Sequence, residues 1–336
     1  MRWYDVIAIG SGWNCTCADH KYRQVCCKHI HAVEFSVKLR EEIRKKNTVT
    51  ISPLNTSECI YCKSENITKD GLRHNKYGDI QKFNCKNCKR YFTINLGFEK
   101  MKHNPKGITT AMQLYFSGES LRNVAKSLRL LGMNITHQTV YNWIQKYTGL
   151  MEKYLENITP NISDTWRADE IFIKVRGNPK WLYAMMDEDT RFWIAKQVAD
   201  TKYTEDIRPM FQEAKKFTQT KPSVLITDGA HNFQTAYKRE LFTIALPRTQ
   251  HVRHIHMDRD MNNNKMERLN GEIRDREKVM RGLKKMDSPM IGGYQLFHNY
   301  IRNHQGLDNQ TPADKAGIKI EGENKWMTLI QNASKQ

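Results

Sequence analysis

All eight cysteines of the chain lie before residue 90, and four of them stand as Cys59-x2-Cys62 and Cys85-x2-Cys88. A polar insert carrying the turn residues Asn66, Gly71 and Gly78 separates the two pairs. Such knuckles are closed either by disulfides or by one tetrahedral ion that takes all four thiolates. The short apolar piece "VIAIG" follows acidic Asp5, and no apolar stretch reaches the ~18 residues of a membrane span. The expectation is therefore a soluble cytoplasmic protein, where thiols stay reduced and zinc is the better reading. Four protein ligands leave no open position, so Cys59, Cys62, Cys85 and Cys88 form a structural zinc ribbon. Lys82, Lys86, Lys89 and Arg90, interleaved with Phe83, Tyr91 and Phe92, give that ribbon a cationic, aromatic face suited to DNA.

A second cysteine set precedes the ribbon. "DVIAIGSGWN" has the look of a strand and glycine turn for dinucleotide binding, but the third glycine position is Cys15 and no amphipathic helix follows. Gly10 and Gly12 read instead as a hairpin turn. Next comes "CTCADHKYRQVCCKHIHAV", with Cys15-x-Cys17 and Cys27-x-His29. Over about residues 3 to 35 this resembles the SWIM zinc finger, and the resemblance implies a second structural zinc held by Cys15, Cys17, Cys27 and His29. Cys26, His20 and His31 are spare donors that leave the ligand set open to substitution.

Lys and Arg number 54 against 36 Asp and Glu, a formal charge of +18 spread along the chain. A field of that sign attracts polyanions, with nucleic acid first and an acidic membrane surface second. From 108 to 149 the apolar period is 3.6: Ile108, Ala111, Met112 and Tyr115, then Leu121, Val124, Ala125 and Leu128, then Val140, Trp143, Ile144 and Tyr147. Three short helices follow, broken at "SGES" and "LGMNIT", with Thr136 able to cap the third. That third helix presents Gln138, Thr139, Asn142, Gln145 and Lys146 to a major groove in a helix-turn-helix arrangement; a plain helical bundle is the competing reading.

Residues 165 to 200 read as three antiparallel strands with turns at "RGNP" and "DEDT". A helix, the short strand ending "ITDG", another helix, the strand-like "HVRHI" and a long charged helix complete the order of a ribonuclease-H-like domain. "WRADE", "ITDG", "NNNKMERLNGEIRDREKVMRG" and "NYIRNHQGLDNQTPADKAGI" together resemble the DDE-class transposases of bacterial and archaeal insertion sequences, in particular the insertion-sequence-six family and its archaeal relatives. The resemblance covers about residues 108 to 320.

The resemblance implies a catalytic triad of Asp169, Asp228 and Glu267, with Arg274 at the family's Lys/Arg offset. Arg274 lies seven residues, two helical turns, after Glu267, hence on the same face and within reach of a DNA phosphate. Three carboxylates suit the chemistry, because phosphodiester displacement uses two Mg²⁺ ions about 3.5 to 4 Å apart, with Mn²⁺ as an alternative. A carboxylate at a strand centre is costly unless a cation neutralises it. Strand alternation places Glu170 outside the site. Asp187, Asp258 and Asp260 read as turn or surface acids, and His251 and His254 as packing or stacking residues. The 38 residues between Asp228 and Glu267 slightly exceed the family's usual spacing, with the surplus assigned to "HMDRDMNNN".

The expected fold class is thus multidomain α+β: small zinc-binding β modules, a helix-turn-helix segment and a ribonuclease-H-like (retroviral-integrase-like) α/β catalytic core. Boundaries fall at 1-45 (SWIM-like finger), 50-100 (ribbon), 105-155 (helix-turn-helix), 160-320 (core) and 321-336 (tail). The implied activity is transposition: binding of the terminal inverted repeats of an insertion sequence, metal-dependent strand cleavage and strand transfer. The expected partners are double-stranded DNA, both element ends and target, and a second copy of the chain in a synaptic homodimer. No membrane partner is expected, and the location is the prokaryotic cytoplasm, at the nucleoid. A domesticated sequence-specific DNA-binding regulator with an inactive core is the alternative.

Overall fold

The computed structural model describes residues 4–9, 12–46, 48–54, 57–75, 78–244, 248–254, 264–280, 283, 285–286 and 288–335. The chain divides into two compact units, Met1–Val49 and Thr50–Gln336. In the first, β1 (Val6–Ile9) and β2 (Gly12–Cys15) form an antiparallel hairpin with Ile9 opposite Gly12. The hairpin expected around Gly10 and Gly12 is therefore present, although residues 10 and 11 lie outside the described residues. Helices α1 (Ala18–Arg23) and α2 (Lys28–Lys46) follow. The small core of this unit is Cys15, Cys17, Cys27 and Ile30, with Val6 and Trp13 packed against it.

The second unit opens at the end of β3 (Val49–Ile51), whose Ile51 carbonyl accepts from the Glu321 amide. Strands β4 (Ile67–Asn75), β5 (Gly78–Cys85) and β6 (Tyr91–Thr93) then make an antiparallel sheet in sequence order. Its core is Cys59, Ile60, Phe83, Cys85 and Phe92, with the Phe83 and Phe92 rings stacked at 5.4 Å.

Three helices come next, α3 (Pro105–Phe116), α4 (Leu121–Leu130) and α5 (His137–Leu155). Each begins on a polar side chain that accepts from an otherwise orphaned amide: Asn104 from Lys106, Ser120 from Asn123 and Thr136 from Thr139. The 3.6-residue stripes face inward as their spacing requires, with Ile108, Met112, Val124, Leu128, Val140, Ile144 and Tyr147 all buried.

Strands β7 (Thr165–Val175), β8 (Asn178–Asp187) and β9 (Trp193–Ala199) form the meander. Arg176 and Gly177 both take positive φ, 53° and 81°, the two-residue turn that matches the twist of a hairpin and that the glycine makes inexpensive. After α6 (Thr204–Thr218), β10 (Val224–Asp228) enters parallel to β7; after α7 (His231–Glu240), β11 (Gln250–His254) enters parallel to β10. The sheet order β11-β10-β7-β8-β9 is the mixed arrangement expected of a ribonuclease-H-like core. Helix α8 (Asn264–Met280) packs on β7, and α9 (Pro289–Leu296) packs on α5 and runs into a π-helical turn over Phe297–Ile301.

Short α10 (Pro312–Lys315), capped by Thr311 and Asp314 on each other's amides, leads to β12 (Ile318–Ile320), which pairs with β3. The last segment, expected as a tail, contains α11 (Lys325–Ala333), which packs on α3 and α5 and buries Trp326, Leu329 and Ile330 in the main core. No helix among the described residues is long and apolar enough to cross a membrane.

Candidate functional site

Asp169 lies in β7 opposite Ala184 of β8, and Asp228 ends β10. Parallel pairing sets Ala168 beside Thr227, so the next residue on each strand is an aspartate and the two carboxylates meet at the middle of the sheet. One carboxylate oxygen from each of Asp169, Glu170 and Asp228 lies within 4.8 Å of the others. Burial pushes the Asp169 carboxyl up to about 7; repulsion from Glu170, Asp228 and Glu267 adds to it, and the Glu170 amide, donating to Asp169 Oδ1 at 2.9 Å, opposes it.

Alternation along β7 assigned Glu170 to the other side, and here the structure corrects the expectation. The rule fixes the Cβ direction, but a glutamate has enough further bonds to bring its carboxylate back beside its neighbour. Lys202 holds it there, with Nζ 2.6 Å from Glu170 Oε1 and 3.8 Å from the centroid of the Trp181 ring. Glu170 Oε2 is buried with no hydrogen-bond partner.

Glu267 sits in the first turn of α8 and is exposed, outside the compact trio, yet near enough for its charge to raise Asp169. The inner face of α8 is Met266, Leu269, Asn270, Ile273 and Arg276, which leaves Glu267 and Arg274 exposed two turns apart on one side. No ion pair holds Arg274 among the described residues.

Sequence reasoning passed over Asn270. Its Nδ2 donates to Asp169 Oδ2 at 2.8 Å, and its Oδ1 is buried without a partner. A polar residue inside the apolar stripe of α8 was the available signal. Arg167 and Lys265 both pair with Glu188, and Lys265 Nζ also donates to the Glu188 carbonyl at 2.9 Å, tying the start of α8 to the end of β8. Further along α8, Glu272 is held to about 2: burial opposes the charge, but His298 and Arg302, whose Nη1 is at 2.7 Å, more than offset it. The "NYIRNHQG" segment thus braces the helix that carries Glu267.

His251 packs against the Tyr237 ring at 4.8 Å and places Nε2 2.9 Å from Thr227 Oγ1; burial and Arg253 bring it down to about 4. It is a packing residue, as expected; the His254 side chain is outside the described ones. Asp187 is a buried turn acid that accepts from the amides and hydroxyls of Ser163 and Thr190. Asp258, Asp260 and nearly all of the surplus loop lie outside the described residues.

The donor set suits a hard divalent cation. Three carboxylates of one sign converge on a half-buried point, one is forced toward its neutral form, and one carries an orphaned oxygen.

Both cysteine clusters assemble. Cys15, Cys17, Cys27 and His29 have donor atoms within 4.8 Å of one another, with Cys15 and Cys27 Sγ at 3.7 and 3.8 Å from His29 Nδ1. Cys59, Cys62, Cys85 and Cys88 do the same, with Sγ pairs at 3.6 and 3.5 Å. The Cys88 amide points at Cys85 Sγ at 3.5 Å and, against burial, lowers that thiol's pKa. These all-thiolate and Cys3His sets fit zinc.

On α5, Gln138, Asn142 and Lys146 are exposed at helical spacing, with Gln138 Nε2 bonded to Asn142 Oδ1 at 3.0 Å. Thr139 and Gln145 are half-buried, Thr139 against the Thr136 cap.

Residues 163–304, which hold all three expected acids, match the family model DDE_Tnp_IS240, a DDE domain. That stretch is thus similar to the DDE domains of insertion-sequence transposases. The particular resemblance is to the Staphylococcus aureus transposase for insertion sequence-like element IS431mec, 24% identical over 214 residues, 62% of this chain and 91% of that protein. An insertion element ISM1 protein of Methanobrevibacter smithii is 24% identical over 185 residues, 50% of this chain and 44% of its own. Among solved structures, the HTLV-2 integrase catalytic core domain aligns with 47% of this chain and 98% of its own, at 16% identity and a TM-score of 0.35.

Proposed function

We propose that the chain is a DDE transposase that binds the terminal repeats of an insertion sequence and carries out strand cleavage and strand transfer. The observation that carries this reading is the meeting of Asp169 and Asp228 at the centre of the sheet, inside a stretch that matches a DDE domain. Asp169, Asp228 and Glu267 would hold two Mg²⁺ ions; when bound, these supply activation of the attacking oxygen and stabilisation of the leaving one.

The chain's own residues prepare that site. Asn270 fixes the rotamer of Asp169 through its 2.8 Å bond. Lys202 neutralises Glu170 and keeps it available as a further donor. Arg274, exposed on the same side of α8 as Glu267, reaches a DNA phosphate. The freed 3′ hydroxyl of one strand then displaces the 3′ oxygen of a target phosphodiester, so one bond forms as one breaks.

End recognition falls to the N-terminal modules and to α5 acting as the recognition helix of a helix-turn-helix. Gln138, Asn142 and Lys146 present base-edge and phosphate donors, with Thr139 and Gln145 at their margin. The two four-ligand clusters hold zinc and shape those modules. Two chains pair to bring two element ends together, in the prokaryotic cytoplasm at the nucleoid. The regulator with a retired core is not favoured, because it gives no reason to keep like charges in costly contact.

The test is Asp169→Asn in the full chain. It should bind element ends as the wild type does in a mobility-shift assay and lose strand transfer with Mg²⁺. Undiminished transfer would refute the assignment.

A further inference from the structure

Cys26 belongs to neither four-ligand cluster, although its neighbour Cys27 is buried in one of them. Its thiol is exposed and faces a different pair of donors. Cys26 Sγ, His31 Nδ1 and a Glu34 carboxylate oxygen all lie within 4.8 Å of one another. The Sγ to Nδ1 distance is 3.8 Å, the same spacing that Cys15 and Cys27 keep from His29 Nδ1 in the adjacent cluster, 3.7 and 3.8 Å. His31 Nδ1 to Glu34 Oε2 is 3.7 Å. That is too long for a hydrogen bond. It is near the roughly 3.3 to 3.6 Å that separates a nitrogen and an oxygen ligand of one tetrahedral zinc with bonds of about 2.0 to 2.2 Å.

The sequence makes this arrangement local. His31 and Glu34 are three apart on α2 and share a face, and Cys26 stands just before the helix begins. The other spare donor, His20, is engaged elsewhere, with Nδ1 2.9 Å from the Val25 carbonyl. His29 and Cys27 already complete the neighbouring cluster, so Cys26 and His31 are not needed there.

We propose that Cys26, His31 and Glu34 form a third zinc site, binding one ion through three protein ligands with the fourth position open to solvent. A thiolate, an imidazole and a carboxylate together select a borderline ion over Mg²⁺ or Ca²⁺. Three ligands and exposed side chains make the site exchangeable, unlike the two closed clusters beside it in sequence. The count of three rests on the reading that those clusters hold zinc, so the test is a difference between variants and not a total.

Full-length protein is saturated with zinc under reducing conditions, and bound metal is measured by mass spectrometry after desalting and by competition with a chromogenic chelator. The wild type should carry one weak equivalent that is stripped before the others. Cys26→Ser, His31→Ala and Glu34→Gln should each lose that equivalent and keep the rest, with circular dichroism unchanged. Co²⁺ replacing the weak equivalent should show the charge-transfer band of a single thiolate. Equal zinc content in wild type and all three variants would overturn the site. Loss with Cys26→Ser but not with Glu34→Gln would also overturn it, by assigning Cys26 to the neighbouring cluster. A wild type with no tight zinc at all would instead remove the structural-zinc reading while leaving the weak site to be judged on the variants.

Discussion

The four-thiolate cluster of residues 59–88 and the carboxylate cluster of the core both gather like charges, and they do so by opposite routes. The thiolates come from two knuckles flanking a single hairpin, and among the described residues only Ile60, Phe83 and Phe92 complete the buried core around them. On the proposed zinc reading, so small a module depends on its ion to fold. Asp169 and Asp228 come from separate strands of a five-stranded sheet with an extensive apolar core of its own. That sheet forces Asp169 beside Asp228 and tolerates the cost, which shows as a carboxyl driven to about 7. On the proposed function, the contrast separates a metal site that makes the fold from one that the fold makes.

The sharpest way to break this contrast is to remove metal. With a strong chelator and reductant, residues 57–99 should lose hydrogen-exchange protection while β7 to β11 keep theirs, a loss on the order of 10 kcal/mol of folding free energy confined to the ribbon. Simultaneous loss in the core would erase the distinction. Next in size, Asp228→Ala should lower strand transfer roughly 10³-fold, about 4 kcal/mol of activation free energy, yet leave the metal-free melting temperature unchanged or higher, because it relieves repulsion. A large fall in melting temperature would mean that the carboxylate is structural after all.

Glu272→Ala removes the partner of Arg302 and His298 and should cost about 2 kcal/mol in chemical denaturation, less than a fully buried pair because Arg302 is partly exposed. To sharpen the make-up of the carboxylate site, Glu267→Gln should reduce transfer more than Glu170→Gln, whose loss is expected at about tenfold, roughly 1.4 kcal/mol. The reverse order would make Glu170 the third ligand.

The last effect is a pH dependence. A folded-state value of about 7 against an ordinary 3.8 means that the native state binds the extra proton. The stabilisation is full below 3.8 and is lost as pH rises through 7. Metal-free wild type should therefore lose more thermal stability between pH 5 and pH 8 than Asp169→Asn, and Mg²⁺ should close the gap. Equal slopes would show that Asp169 carries no such strain.

Much of this was legible in the primary structure because the signals are local. The knuckle spacings, the Thr136 cap, the three helical stripes and the apolar strands that deliver Asp169 and Asp228 depend on residues a few positions apart. Glu170 was misplaced because strand periodicity speaks of Cβ directions and not of where a longer side chain comes to rest. Asn270 was missed because its meaning depends on a partner on another element, and the packing of α11 because a short C-terminal run carries no sign of the helices it will cover.

The sequence by itself determined which elements form and which donors are close in the chain, since periodicity, caps and ligand spacing act over one or two turns. Only the tertiary structure decided that β10 enters parallel to β7 and sets Asp228 beside Asp169, that Lys202 draws in Glu170, and that Glu272 locks α8 to the segment after α9. Those pairings join residues tens of positions apart, and what selects them is the burial of whole faces against one another, a free energy that no short stretch of chain contains.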